Sequence, residues 1–228
     1  MTMDMDVTAS LGHGVRWAGA QRDVLGGDIS GRVDLAELAA IPDLYGVGPL
    51  EGVRGEVTIL RGVPSIARIA DGRVVTSEAW DVRACFLVWA QVPVWHRRVH
   101  DGAAVDLEGI EHAVVVLARE QGIDVSRPFP FLVEAVASDV VLHVLDKRDG
   151  LPHTPERHEQ AKVRQRLAGM TVELIGFHSR HHRGVFTPKD ENVHAHARTA
   201  DGSVSGHVET IRLTPGARIA VPAAGWIQ

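Results

Sequence analysis

An α+β fold built on a mostly antiparallel sheet is what this sequence predicts, and three observations predict it. Short runs of strand length, apolar or alternating, recur along the chain and are parted by glycine-dense or Asp-Gly turns. Residues 107–121 set Ile110, Val114, Leu117 and Ala118 on one helical face before a stop at Gly122. Late in the chain, residues 192–213 read as a hairpin around Asp201-Gly202. The 228 residues suit one domain, expected over 31–228 with a sub-domain joint near 146–156, after a loosely ordered segment at 1–30.

Taken in order, Asp34 is a cap for a short helix over residues 33–40, with Leu35, Leu38 and Ala39 at helical spacing. Residues 45–56 are glycine-dense and turn-rich, and the strand-like Val57-Thr-Ile-Leu60 follows. The Gly46/Gly48 pair lacks the Lys-Ser/Thr and the following helix of a phosphate loop. Further strands are expected at 65–69, at 73–76 after an Asp71-Gly72 turn, at 83–89, at 131–145 as one or two strands, and at 170–177. Residues 155–167, polar and opened by Pro155, read as a helix.

Composition removes several classes of function. With 24 basic and 29 acidic residues the net charge is −5, without the basic excess that nucleic-acid binding needs. Only 5% of residues are aromatic, which also argues against a base-stacking platform. The N-terminus is acidic where a secretory signal would be basic, and the longest apolar runs, near 84–90 and 113–118, are too short to span a bilayer. The single cysteine, Cys85, lies in an apolar run and reads as a buried strand residue, so no internal disulfide can form. A reduced, cytoplasmic setting without membrane or nucleic-acid partners is the expectation.

Histidine stands out, with 13 copies. Asp201-Gly202 suits a two-residue loop needing φ > 0 at both positions. That register sets His196 opposite His207, and the pleat puts His194 on the same face as His196. Three imidazoles then converge at a spacing that suits one metal ion, with coordination positions left open as at a catalytic zinc. Ligand type alone leaves iron, manganese, nickel and copper open as well. The same face carries Glu209 opposite His194 and Arg198 opposite Ser205, the latter placed to hold a substrate carboxylate. The reverse face, with Val193, Ala195, Ala197, Gly206 and Val208, is small and apolar, as core packing requires. His178, His181 and His182 fall in a loop near the site, whereas His96, His100, His153 and His158 read as surface residues.

The run His194-Ala-His196 with His207 in Ser-Gly-His-Val208 resembles the zinc motif of α-acetolactate decarboxylases. Gly176-Phe177 with Gly184, Gly46-Val-Gly48 and Gly55-Glu-Val-Thr-Ile-Leu60 resemble other signatures of that family, so the likeness spans roughly residues 33–213. It implies zinc held by His194, His196 and His207, with Glu56 as the glutamate beside the metal and the acid that protonates an enediolate. It also implies barrel-like packing of the sheet around zinc, and a homodimer. This chain departs from the pattern in three places. Pro49 stands where the family has a threonine, and the mid-chain arginine aligns ambiguously with His143, Lys147 or Arg148. The late glutamate finds no counterpart beyond His207.

The resulting expectation is a zinc-dependent lyase that decarboxylates a 2-hydroxy-3-oxo acid, acetolactate by default. Two alternatives stand beside it. One is a related metal enzyme for another enolisable substrate, by isomerisation, aldol-type cleavage or cyclisation. The other is a metal- or small-molecule-binding protein without turnover. A three-histidine cupin would want a glutamate four or five residues after the His pair, where this chain has Ala200 and Asp201.

Overall fold

The computed structural model describes residues 14–100, 102 and 105–226. The first half of the chain contributes β1 (Val15–Ala18), α1 (Gln21–Leu25), β2 (Val33–Asp34), β3 (Leu44–Pro49), β4 (Glu56–Leu60), β5 (Val63–Ala70) and β6 (Arg73–Ser77). Then come β7 (Arg83–Ala84), β8 (Leu87–Gln91), β9 (Trp95–His100), α2 (Leu107–Glu120) and the long β10 (Phe129–Leu145). The last part holds α3 (Pro155–Gln160), β11 (Lys162–Leu167), β12 (Met170–His178), β13 (Val193–Thr199), β14 (Ser205–Leu213) and β15 (Ala217–Pro222). No helix among the described residues is long and apolar enough to cross a membrane.

Every strand pairing between these elements is antiparallel. One main sheet runs β1-β8-β3-β4-β5-β6, the other runs β12-β13-β14-β10-β15-β9 with β11 also on β10, and β2 and β7 form a small two-stranded sheet. The strand β10 is 17 residues long. It pairs with β12 through its first half and with β14 through its second, with register shifts at Ala137/Asp139 and Val141/Leu142. The second sheet therefore folds back on itself about β10, and the expected barrel-like core is met only to that extent.

Alternation along the strands builds the layers. On β12, Val172 and Leu174 join a core with α2, where Ile110, Val114, Leu117 and Ala118 form the buried stripe. Ile175 and Phe177 point the other way, into a core shared with Tyr45 and Val47 of β3 and Val88 and Ala90 of β8. The two sheets thus pack face to face, with α2 on the outer face of the second. A third core, with Leu35, Leu38, Ile59, Ile66 and Leu87, closes the outer face of the first.

Several local expectations change on packing. Residues 155–167 are not one helix: α3 stops at Gln160 and β11 begins at Lys162, because residues 162–167 pair with residues 140–145 of β10. The run expected as a strand at 83–89 breaks between β7 and β8, where Cys85 and Phe86 leave the ladder and Cys85 N–H donates to Pro49 O. Residues 33–40 form only a short strand and a 3₁₀ turn, Leu35–Leu38, capped by the Asp34 carboxylate on Ala36 N–H. Of the segment expected to be loose, residues 1–13 lie outside the described residues, whereas β1 is laddered to β8 and α1 is tied to the backbone of Gly184 and Val185.

The glycines of the Gly46-Val-Gly48 motif serve close strand packing rather than phosphate binding. A Cβ on Gly48 would stand 2.2 Å from Phe86 O. Cys85 is buried as expected, and its thiol is pushed up to about 12, chiefly by burial.

Candidate metal centre

The hairpin of β13 and β14 has the register its sequence predicts: His196 faces His207, Ala197 faces Gly206 and Arg198 faces Ser205. Its loop is longer than the expected two residues. Thr199 N–H still bonds to Val204 O, so Ala200 to Ser203 form a four-residue loop with Gly202 at φ 72°. Asp201 stabilises it by accepting from the Thr199 hydroxyl (2.6 Å) and from Ser203 N–H and Oγ. Both loop lengths keep the same cross-strand pairs, which is why the histidine register survives the difference.

Val193, Ala195, Ala197 and Val208 face the α2 core, so the opposite face of the hairpin meets the first sheet. There the imidazoles of His194, His196 and His207 converge, their candidate donor atoms all within 4.8 Å of one another. His194 Nε2 and His207 Nδ1 are 3.1 Å apart. Nitrogens bound at about 2.0–2.1 Å to one tetrahedral ion lie roughly 3.4 Å apart, so little adjustment is needed. His196 Nδ1 lies 3.1 Å from the Thr58 hydroxyl of β4, which leaves Nε2 free. That Nε2 is buried without a hydrogen-bond partner, as is Glu56 Oε1 beside it.

Burial governs the electrostatics. It brings His194 down to about 4 and holds His196 and His207 well below the usual imidazole value, so all three are neutral near pH 7. Neutral, buried imidazoles with an orphaned nitrogen fit a divalent transition metal. Glu56, the first residue of β4, is 2% exposed and has Oε2 3.8 Å from His196 Nε2. Burial raises its carboxyl well above the ordinary value, only partly offset by the Leu145 backbone.

A cavity of about 300 Å³ opens on this cluster, lined in part by Glu56, His194 and His207. Glu209 lines it too, held down to about 2 chiefly by His143, whose Nδ1 lies 3.1 Å from its Oε1, and by Arg164. Arg198 does not line it. Its guanidinium turns to Glu173 (2.8 Å), which also takes Arg61 (2.6 Å). The cause is the acid pair of the neighbouring strands, since Arg198 faces Glu173 in the β12–β13 ladder.

Sequence reasoning missed four titratable residues of the cavity wall: Lys162, His158, Glu191 and, except as one of three alternatives, His143. His143 faces His207 across the β10–β14 ladder, and its ring lies 4.6 Å from that of His207. A histidine isolated in the apolar run 140–145 was the available signal, but its partner strand is long-range. His158, read as a surface residue, reaches the cavity because α3 is short and turns directly into β11. His153, read the same way, is 5% exposed and has Nε2 3.2 Å from His158 Nδ1. His178 is fully buried, with Nε2 3.4 Å from Glu111 of α2.

Fold and site together define an antiparallel α+β protein with a candidate three-histidine metal centre between its two main sheets. By sequence, no family model and no curated protein matches this chain. By structure, it is similar to α-acetolactate decarboxylase from Bacillus subtilis strain 168, with a TM-score of 0.75 at 15% identity, over 91% of this chain and 85% of that one. Acetolactate decarboxylase from Bacillus subtilis subspecies spizizenii gives 0.74 at 15% identity, over 92% and 85%. A Staphylococcus aureus protein of unknown function, described as similar to α-acetolactate decarboxylase, gives 0.73 at 12% identity, over 91% and 84%. The chain thus shares the fold of these proteins at low sequence identity.

Proposed function

We propose that this protein is a metal-dependent carboxy-lyase, converting a 2-hydroxy-3-oxo acid, acetolactate by default, into the corresponding hydroxyketone, acetoin. One observation carries the reading: three neutral imidazoles, two buried and that of His207 half-buried, and a buried carboxyl meet at a small cavity, in a fold shared with acetolactate decarboxylases.

His194, His196 and His207 would hold the ion, with zinc the expected metal. When bound, it would supply a Lewis acid for the substrate ketone. Thr58 fixes the orientation of His196, and Phe86 flanks His194 with ring centroids 5.7 Å apart. Lys162 is the one Lys or Arg side chain among the described lining residues, so it takes the carboxylate-holding part expected of Arg198. Breaking the carbon–carboxylate bond releases carbon dioxide and leaves an electron pair on the former α-carbon, delocalised towards the ketone. Glu56, whose carboxyl burial shifts towards the protonated form, delivers the proton that completes the hydroxyketone and regains one from water. Glu209 stands beside His143 at the cavity wall. A cytoplasmic homodimer acting on a small molecule belongs to the same reading.

A second reading has one observation in its favour. Pro49 lines the cavity and no described arginine does, so the groups that orient the substrate differ from the family pattern. The same metal site would then serve another enolisable substrate, by isomerisation, aldol-type cleavage or cyclisation.

The test is acetoin formation from racemic acetolactate by zinc-reconstituted protein, against a chelator-treated control that corrects for spontaneous decarboxylation. Rapid, chelator-sensitive loss of one enantiomer is expected, and Glu56→Gln should keep metal stoichiometry while lowering the rate by about 10²–10⁴-fold. A rate equal to the control with zinc bound would overturn acetolactate as substrate and leave the second reading.

A further inference from the structure

A second cleft, of about 470 Å³, shares no lining residue with the metal cavity. Four arginines line it, Arg54, Arg68, Arg83 and Arg148. In a chain of net charge −5 such a concentration does not reflect the bulk charge. We propose that this cleft binds a small oxyanion carrying two or more negative charges, of the phosphate-ester or polycarboxylate kind.

The backbone brings the four together. Glu56 pairs with Ala67 on β4 and β5, so Arg54 and Arg68 flank the same end of that ladder. The Arg68 stem lies over Gly55, where an added Cβ would stand 3.1 Å from Arg68 Cγ. From β10, the chain runs on to Arg148, whose Nη2 donates to Ile69 O at 2.6 Å, one residue from Arg68. Arg83 donates to Gly31 O at 2.6 Å.

Charge is only partly balanced within the cleft. Asp146 is committed to Arg148 at 2.7 Å and Glu51 to Arg83 at 3.5 Å. Arg54 and Arg68 are exposed and make no ion pair with any described residue. Two guanidiniums are therefore anchored by backbone carbonyls and carboxylates, and two carry no ion pair, with Asp81 the one further carboxylate of the lining. A planar guanidinium matches two oxygens of a phosphate or carboxylate at once, and anchored forks lose less freedom on binding. The remaining carboxylate, Asp81, suits a ligand that also carries a hydroxyl.

The site stands apart from the proposed lyase reaction, and its test does not need that reaction. The full chain is titrated calorimetrically at low ionic strength with pyrophosphate and, separately, with citrate. Each titration is repeated on protein stripped of metal and on Arg54→Gln/Arg68→Gln. Both arginines are exposed, so the double variant should fold; the single variant Arg68→Glu gives an independent readout. Saturable binding is expected that persists without metal, weakens with added salt, and falls at least about tenfold in the double variant. Binding of pyrophosphate alone assigns a phosphate-bearing ligand, and binding of citrate alone assigns a polycarboxylate. No saturable binding of either anion, binding that vanishes with the metal, or binding unchanged in the arginine variants would overturn the proposal.

Discussion

Thr58 is the least conspicuous member of the candidate metal site and one of the most informative. Its hydroxyl is fully buried and its contact with His196 Nδ1 ties the first sheet to the second. Outer partners of ligating histidines fix the ring and its tautomer, and their loss typically costs 10–100-fold in affinity. Thr58→Val should therefore weaken zinc binding by roughly that factor while keeping one ion per chain at saturation, as read by chelator competition. Arg198 marks the opposite case. Its pairing with Glu173 lies outside the cavity, so Arg198→Ala should leave acetoin formation unchanged and lower the urea unfolding free energy by about 1 kcal/mol or less. A large loss of activity would return it to the site. His196 and His207 were legible because a hairpin fixes register locally. Thr58 was not, because nothing near residue 58 records which strand will face it.

At the scale of elements, the hairpin offers a paired test. Gly206 sits where β14 crosses β10, and an added Cβ would stand 2.6 Å from His143 O. Backbone cannot yield cheaply there, so Gly206→Ala should push the two strands apart, lower stability by about 1–3 kcal/mol and weaken metal binding by displacing His207. Gly202, in the loop of the same hairpin, has φ 72° and open space around its Cα. Gly202→Ala should cost stability through backbone strain alone and leave metal affinity unchanged. Thermal unfolding and chelator competition on both variants separate the two effects. The element that sequence reasoning assigned to the wrong class, β11, shows why such errors occur. Its mostly polar residues favour a helix in isolation, yet all six pair with β10 and close the side of the cavity where Lys162 stands.

Across the whole molecule, the sheets are held by buried polar bridges as well as by the apolar interior. Thr58 meets His196, and Ser65 Oγ meets Ser205 Oγ at 2.8 Å, each pair joining one sheet to the other. At the surface, Arg61, which follows β4, reaches Glu134 of β10 (3.1 Å) and Glu173 of β12 (2.6 Å). Burial alone would raise the Glu173 carboxyl, but Arg61 and Arg198 more than offset it and hold it below the ordinary value. A carboxylate depressed in the folded state stabilises the fold above its unfolded pKa, and that stability is lost as pH falls through the folded value. The wild-type chain should therefore lose more stability than Glu173→Gln between about pH 5 and pH 3, as read from urea midpoints. Equal pH slopes would show that the bridge adds nothing.

By itself the sequence determined what is local. Asp201-Gly202 placed the turn, the turn placed His196 against His207, and two-residue alternation placed His194 beside them and the small apolar residues behind them. The same periodicity identified α2 and its buried stripe. Tertiary structure alone decided most of what faces the hairpin: Thr58 from the first sheet, His143 from the bend of β10, and Lys162 from a strand that sequence reads as helix, whereas Glu56 was reached beforehand through the family resemblance. It also turned Arg198 away, towards an acid on the next strand. The division follows from the physics of sheets. A hairpin's register is set by its own few residues, whereas pairing between distant strands is chosen by burial summed over the whole core.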